Sequence, residues 1–415
     1  MKTHNTLYYF LLFMLVMALP VSSQDCGCRV SQVESNTVNA CEYSVGTVVT
    51  VATTSELRNA INQINSSGGN TTLLIADGTY PIASTDWYPY ITANNVVIRS
   101  LSGNRDSVIL TGTGMNSVDP NTEIVISAVG NNISIMDLTI REVGNHGIMA
   151  NGDHLFVHNV RVQDTFEQML KGNSSGDGAD EARVQCSLFE YTAGVGPQWY
   201  IGGLDIHDGD NWTVNDNVFK NIASPSVTTA EHAIHFWNSS SNNTIERNII
   251  INSDRGIGFG LGSSPSEGGI IRNNMIFNDG TGLYDDVGIG LETSPNTKVY
   301  NNSIFIAYAN AIEYRFPETT NVEIFNNLTN QSITLRNSAQ ATVASNYTSA
   351  IENWFVNAPT GDLRLASDNP AVVNQGMYLD TVLMDIDKTP RTIDGDHDIG
   401  AFEFVVDFIF GDGFD

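Results

Sequence analysis

An internal repeat limits what this chain can fold into more than any other feature. HLFVHNVRVQD, NWTVNDNVFKN, NTIERNIIINS, GGIIRNNMIFN, TKVYNNSIFIA and TNVEIFNNLTN are short segments with Val or Ile at alternate positions and Asn near the centre. Most are followed by a second short segment: HGIMAN, GGLDIHD, HAIHFWN, RGIGFGL, VGIGLET or NAIEYRF. Alternation with a period of two marks a strand. The second segments carry their Ile or Leu at 148, 204, 234, 257, 289 and 312, and several of the intervals are 23 to 30 residues. No helical pattern lies between them, so βαβ units are excluded. Strands this short bury their apolar side chains only by stacking on copies of themselves. Each coil then points Ile and Val into one continuous core, and Asn side chains hydrogen-bond in ladders at the turns. The scarcity of helix formers and the abundance of Gly, Asn, Ser, Thr, Ile and Val agree with an all-β chain.

This pattern resembles the right-handed parallel β-helix of the pectate-lyase-like superfamily, over roughly residues 46 to 365. TSELRNAINQIN reads as an amphipathic helix capped by Thr54 or Ser55, and TLLIADGTYPI follows as a first strand. Such a helix closes the open end of the coil and shields its edge. A propeller is the alternative fold, but its blades need four strands and longer periods. The expected organisation is a signal peptide at 1–23, a Cys-containing leader at 24–45, the β-helix at 46–365, a closing segment at 366–404 and an acidic-aromatic tail at 405–415.

The signal peptide is read from Lys2, the apolar run LYYFLLFMLVMALP and the small polar VSSQ that follows. The run is short for a membrane span, and no later segment is apolar for long enough to cross a bilayer. A secreted or periplasmic protein is expected, in which disulfides can form. Of Cys26, Cys28, Cys41 and Cys186, the likeliest bridge joins Cys41 to one of the first two. The formal net charge of −27, with only 19 Lys and Arg residues, argues against a nucleic-acid partner. A polyanionic ligand would need a local basic cluster or a bound cation.

Stacking converts sequence alignment into geometry, because successive rungs lie about 4.8 Å apart. With the second segments in register, one outward column reads Met149, Asp205, His235, Gly258, Gly290, Glu313. The next reads Asn151, His207, Trp237, Gly260, Glu292, Arg315. Asp205, His207, His235 and Trp237 should therefore meet on adjacent rungs, with Gly258 and Gly260 as an open floor. In DTFEQMLKGN, an inward Phe166 and Leu170 would turn Glu167 and Lys171 outward and set Lys171 beside Asp205. The opposite register buries Lys171 without a partner, which is costly. Arg255, Glu231 and His232 lie at the edge of the patch, and Trp199 and Tyr200 belong to an insertion that would wall the cleft. A cluster of titrating groups in a groove is the usual mark of a site. Trp237 offers an aromatic face on which a sugar could stack.

From Glu167 to Val218 the chain loosely resembles the chondroitinase B and alginate lyase family of polysaccharide lyases. EQMLKGN would supply Glu167 and Lys171, and His207 stands where that family carries an arginine. The resemblance implies β-elimination on a uronate-containing polysaccharide. A base removes the proton α to the uronate carboxylate, a cation or hydrogen-bond donor neutralises that carboxylate, and the glycosidic oxygen leaves. Lys171 is the expected base if its setting lowers its pKa, with His207 or His235 as acid or neutraliser and Arg255 at the edge of the catalytic group. Trp237, Trp199, Tyr200, Glu231, His232, Glu292 and Arg315 would bind the extended polysaccharide. Glu167, Asp205 and Asp208 would hold Ca²⁺. The protein is expected to act as a monomer. Two other readings stay open: a glycoside hydrolase using paired carboxylates, and a carbohydrate-binding β-helix without catalysis.

Overall fold

The computed structural model describes residues 26–405 apart from 83–86, 117–123, 174–177 and 392–395. The expected signal segment and nearly all of the tail lie outside the described residues. The chain is a right-handed parallel β-helix, not a propeller. Among the described residues it winds through three long parallel sheets. The longest has twelve strands, from Thr47–Val51 to Ala341–Ala344. A second has ten, from Gly78–Pro81 to Leu328–Thr329, and a third, the site sheet, has ten from Tyr90–Ile91 to Ser332–Arg336. One coil visits them in that order, as in Thr213–Asn215, Val218–Lys220 and Ile234–Trp237.

The turn between the first two sheets shows how the repeat encodes the coil. Asp216, Arg247, Asn273, Asn301 and Asn326 all have φ between +50° and +58°, a left-handed conformation that short polar side chains tolerate best. The next residue is Asn in each case. Asn217 donates to Asn248, Asn248 to Asn274, Asn274 to Asn302, Asn302 to Asn327 and Asn327 to Asn346, at 2.9–3.0 Å. Inside the coil, Ile245, Ile271, Val299 and Ile324 stack in the longest sheet with no exposed surface.

The helix at the open end spans Thr54–Ser67, and its cap is Thr53, not Thr54 or Ser55. The Thr53 side chain accepts from Glu56 N at 3.2 Å, and the Glu56 carboxylate accepts from Ala52 N at 2.8 Å. Leu57, Ala60, Ile61 and Ile64 face the core. Cys26 pairs with Cys41, and Cys28 pairs with Cys186 across 158 residues. The leader is thus tied to the coil as well as to itself. Val30 and Val33 join Leu188, Val218 and Ile249 in an apolar cluster on the outside of the second sheet, which Val372, Ile386 and Ile399 also enter. No helix among the described residues is long and apolar enough to cross a membrane.

Candidate active site

Three rungs of the site sheet carry the central residues of the candidate site: Leu170–Gly172, Leu204–His207 and Ile234–Trp237. Lys171 pairs in register with Asp205, Asp205 with His235, and His207 with Trp237. Leu170, Leu204, Ile206, Ile234 and Phe236 fill the core behind them, so the alternation turns the polar residues to the opposite face. Lys171 does point outward, and it meets a partner there.

Asp205 is the hub. One carboxylate oxygen takes the Lys171 ammonium, and the other accepts from Trp237 Nε1 at 2.7 Å. Lys171 Nζ also donates to His207 Nε2 at 2.8 Å. Burial alone would raise the Asp205 carboxyl; the imidazole of His207, the Lys171 ammonium and His235 outweigh it and hold it well below the usual carboxylate range. Asp205 is therefore an ionised carboxylate inside a covered site. Lys171 and His207 keep 12% and 19% of their side chains exposed, whereas Asp205 keeps 1% and His235 none. The solvent-facing chemistry belongs to the Lys171–His207 couple. Trp237 abuts His207 edge-on at 4.3 Å between ring centroids and stacks on His235 at 5.5 Å.

The remaining expected residues fall into two groups. Glu231 and His232 reach the centre, through a His235 Nδ1 to Glu231 distance of 3.4 Å and a ring-centroid distance of 4.5 Å between the two histidines. Tyr200 is part of the same field: burial, then the charges of Asp205, Glu231 and Glu167, push its phenol up to about 12. Trp199 is half exposed and packs against Tyr200 at 5.4 Å. Arg255 instead binds Asp286 at 2.8 Å, and Glu292 pairs with Arg315 at 3.3 Å further along the coil. Asp208 sits in the left-handed turn that ends its strand, and its backbone N–H donates to Trp237 O.

The open floor is a correction. A Cβ on Gly258 would lie 2.6 Å from the His232 imidazole, and one on Gly290 would lie 3.5 Å from it. These glycines are the seat of that ring. Gly260 has φ +75°, and a side chain there would overlap the Glu292 carbonyl, so its glycine serves the backbone.

Of the three residues expected to hold calcium, Asp205 and Glu167 face nitrogen partners in this structure: both Asp205 oxygens face N–H donors, and Glu167 faces His146 Nε2 at 3.6 Å. Among the described residues, the three side chains that bring ligand atoms within 4.8 Å of one another are Glu231, His232 and His235. Two residues escaped the sequence reading. His146 and Gln168 lie two positions before Ile148 and Leu170, in the column that leads to His232. His146 Nδ1 bonds the Gln168 carbonyl at 3.1 Å, and burial lowers its pKa to about 4, so it is neutral. The signal was available in the matched HGI and HAI segments.

No protein-family profile and no curated protein matches this chain. Solved structures do. It superposes on pectate lyase Pel9A with a TM-score of 0.56 at 15% identity, over 88% of this chain and 99% of that one. An alginate lyase from Paenibacillus sp. str. FPU-7 gives 0.51 at 16% identity, covering 73% and 95%. A mannuronic acid specific polysaccharide family 6 lyase from human gut microbiota gives 0.50 at 15%, covering 72% and 78%. At this identity the likeness shows a shared parallel β-helix fold.

Proposed function

We propose that this protein is an exported polysaccharide lyase that cleaves a uronate-containing chain by β-elimination. The observation that carries the reading is the Lys171–Asp205–His207 triangle on the outer face of the site sheet, with Lys171 and His207 reaching solvent. The names of the structurally similar lyases support the substrate class. The apolar run at the N-terminus and the two disulfides support export.

Lys171 and His207 share one hydrogen-bonded proton across 2.8 Å. Its transfer to His207 leaves Lys171 as an amine and makes an imidazolium, which the Asp205 carboxylate 3.6 Å away stabilises. The amine then takes the proton α to the uronate carboxylate. The carbanion's electron pair forms the C4–C5 double bond, the bond from C4 to the glycosidic oxygen breaks, and His207 returns a proton to that oxygen. The products are an unsaturated uronate end and a new reducing end. His235 is wholly covered and stacks on Trp237, so it acts as a positioning residue for the indole whose N–H holds Asp205. No step is routed through calcium.

Purified protein incubated with alginate, pectate and glycosaminoglycans should generate the ultraviolet absorbance of an unsaturated uronate on one of them. Lys171→Ala should lower that rate by roughly 10²–10⁴-fold, the usual scale for a general base. New reducing ends without the absorbance would replace this reading with hydrolysis. Binding without turnover would leave a carbohydrate-binding protein.

A further inference from the structure

Beside the Lys171–Asp205–His207 triangle, away from the reacting couple, ligand atoms of three side chains lie within 4.8 Å of one another. We propose that Glu231, His232 and His235 form a binding site for a divalent transition-metal cation such as Zn²⁺ or Co²⁺.

The first argument is the tautomer of His235. Its Nε2 lies 3.2 Å from the Gly260 carbonyl, a group that only accepts, so Nε2 carries the proton. In the neutral ring Nδ1 is then a lone pair. That lone pair faces Glu231 Oε2 at 3.4 Å and Asp205 Oδ1 at 3.7 Å. Three electron-rich atoms do not converge in a buried place without a positive charge among them. An imidazole that donates one N–H to a backbone carbonyl and aims the other nitrogen at carboxylates has the arrangement of a metal-bound histidine.

The second argument is the absence of other partners. Glu231 Oε2, His232 Nδ1 and His235 Nδ1 are all buried and have no hydrogen-bond partner among the described residues. His232 and His235 are both more than nine-tenths buried. Buried polar atoms are nearly always satisfied, and here three unsatisfied ones occur in one cluster whose ligand atoms lie within 4.8 Å of one another.

The third argument is size and donor type. Two ligands held about 2.0–2.1 Å from one tetrahedral ion are about 3.3–3.4 Å apart, and His235 Nδ1 and Glu231 Oε2 are 3.4 Å apart. Two imidazoles and a carboxylate suit zinc, cobalt or nickel, whereas calcium requires oxygen. Gly258 and Gly290 provide the space that the His232 ring occupies. With Asp205 Oδ1 next to the ligand set, the ion would sit at the foot of the Lys171 triangle and help hold it.

The test is cobalt binding to the full-length protein after chelator treatment. One equivalent should bind and give the visible absorption of a nitrogen- and carboxylate-ligated ion, and zinc should displace it. Glu231→Gln, which preserves volume, and His232→Asn should each weaken binding by more than the 10–100-fold that loss of an outer partner costs. Circular dichroism of each variant separates lost affinity from lost fold. Lys171→Ala should bind cobalt as wild type does, so the metal site and the lyase reading fail independently. Folded wild-type protein that binds no cobalt overturns the proposal. Binding that survives both ligand substitutions overturns it too. A nitrogen NMR spectrum showing His235 protonated at both nitrogens in the presence of excess zinc would assign the positive charge to a proton instead.

Discussion

The asparagine turn and the site sheet are two edges of the same coil, built by the same repeat, and they solve the burial of polar groups in opposite ways. At the turn, Asn217, Asn248, Asn274, Asn302, Asn327 and Asn346 stack like on like. Each amide passes a hydrogen bond to the next and also bonds backbone groups of the neighbouring coil. A carboxamide carries both donor and acceptor, so a column of identical Asn satisfies itself and stays neutral. On the site sheet the column reads Lys171, Asp205, His235, Gly258. Lys171, Asp205 and His235 are unlike one another, charge is left to pair across rungs, and several buried nitrogens and oxygens have no hydrogen-bond partner among the described residues. A self-complementary column gives stability by repetition, whereas a column of unlike residues is where function accumulates.

The largest effect should come from removing the hub. Asp205→Ala strands the Lys171 ammonium and the Trp237 N–H together, and loss of one partner from a buried ion pair costs about 3–5 kcal/mol. Denaturant unfolding should show this loss of stability alongside loss of any uronate-eliminating activity. Asp205→Asn, which keeps the shape, should retain much more stability than activity. If the two variants were equally stable, charge at this column would matter less than shape, and the contrast between the edges would collapse.

In the ladder the expected loss is smaller. Asn274→Ala removes the donor to Asn302 and to the Ile245 carbonyl and leaves the Asn248 N–H without its acceptor, while Asn248 Nδ2 keeps the Val214 and Glu246 carbonyls. Each buried group left unsatisfied costs about 1–3 kcal/mol, offset where water enters. A net loss of about 2–4 kcal/mol with activity unchanged would show that this edge is structural.

What the sequence revealed follows the same division. The columns Asp205–His235–Gly258 and His207–Trp237 could be read in advance because strands place alternate side chains on opposite faces and every rung has an Ile or Leu to set the register. The Asn ladder was legible for the same reason. The role of the glycines was not, because the atom that fills the space above Gly258 comes from His232, which lies in the loop before the strand of the neighbouring rung. The partners of the acidic residues were not legible either, because spacing locates carboxylates but not the N–H groups that face their oxygens. The Cys28–Cys186 bridge was invisible because its partners are 158 residues apart, and proximity of that range depends on how the leader packs outside the second sheet.

The glycine seat can be probed by one methyl group. Gly258→Ala would place a Cβ 2.6 Å from the His232 ring, whereas Gly290→Ala would meet it at 3.5 Å, an ordinary contact. Overpacking of this kind costs about 1–3 kcal/mol. Gly258→Ala should therefore lower the melting temperature and displace His232, and Gly290→Ala should do little. Equal effects would mean that the ring has freedom to move and that its placement is not fixed by the glycines.

The smallest effect concerns charge crowding beside the site sheet. Asp254, just before Arg255, is buried and accepts from Ser224 N and Ala230 N through one oxygen, both at 2.9 Å. Burial is the main reason that its pKa rises to about 6, and the Asp285 carboxylate adds to it. A carboxyl whose folded pKa lies above its unfolded value of about 3.8 contributes stability that is fully present below pH 3.8 and lost as pH rises through about 6. The rise of roughly two units sets a ceiling of about 3 kcal/mol. Asp254→Asn keeps an oxygen for the two backbone N–H groups and puts an amide in place of a charge near Asp285. It makes this position neutral, as every position of the asparagine ladder already is. The variant should gain on the order of 1 kcal/mol over wild type at pH 8 and show no gain at pH 4, a difference that urea titrations at the two pH values would measure. A gain of the same size at both would attribute the effect to packing and remove charge from the account of this edge.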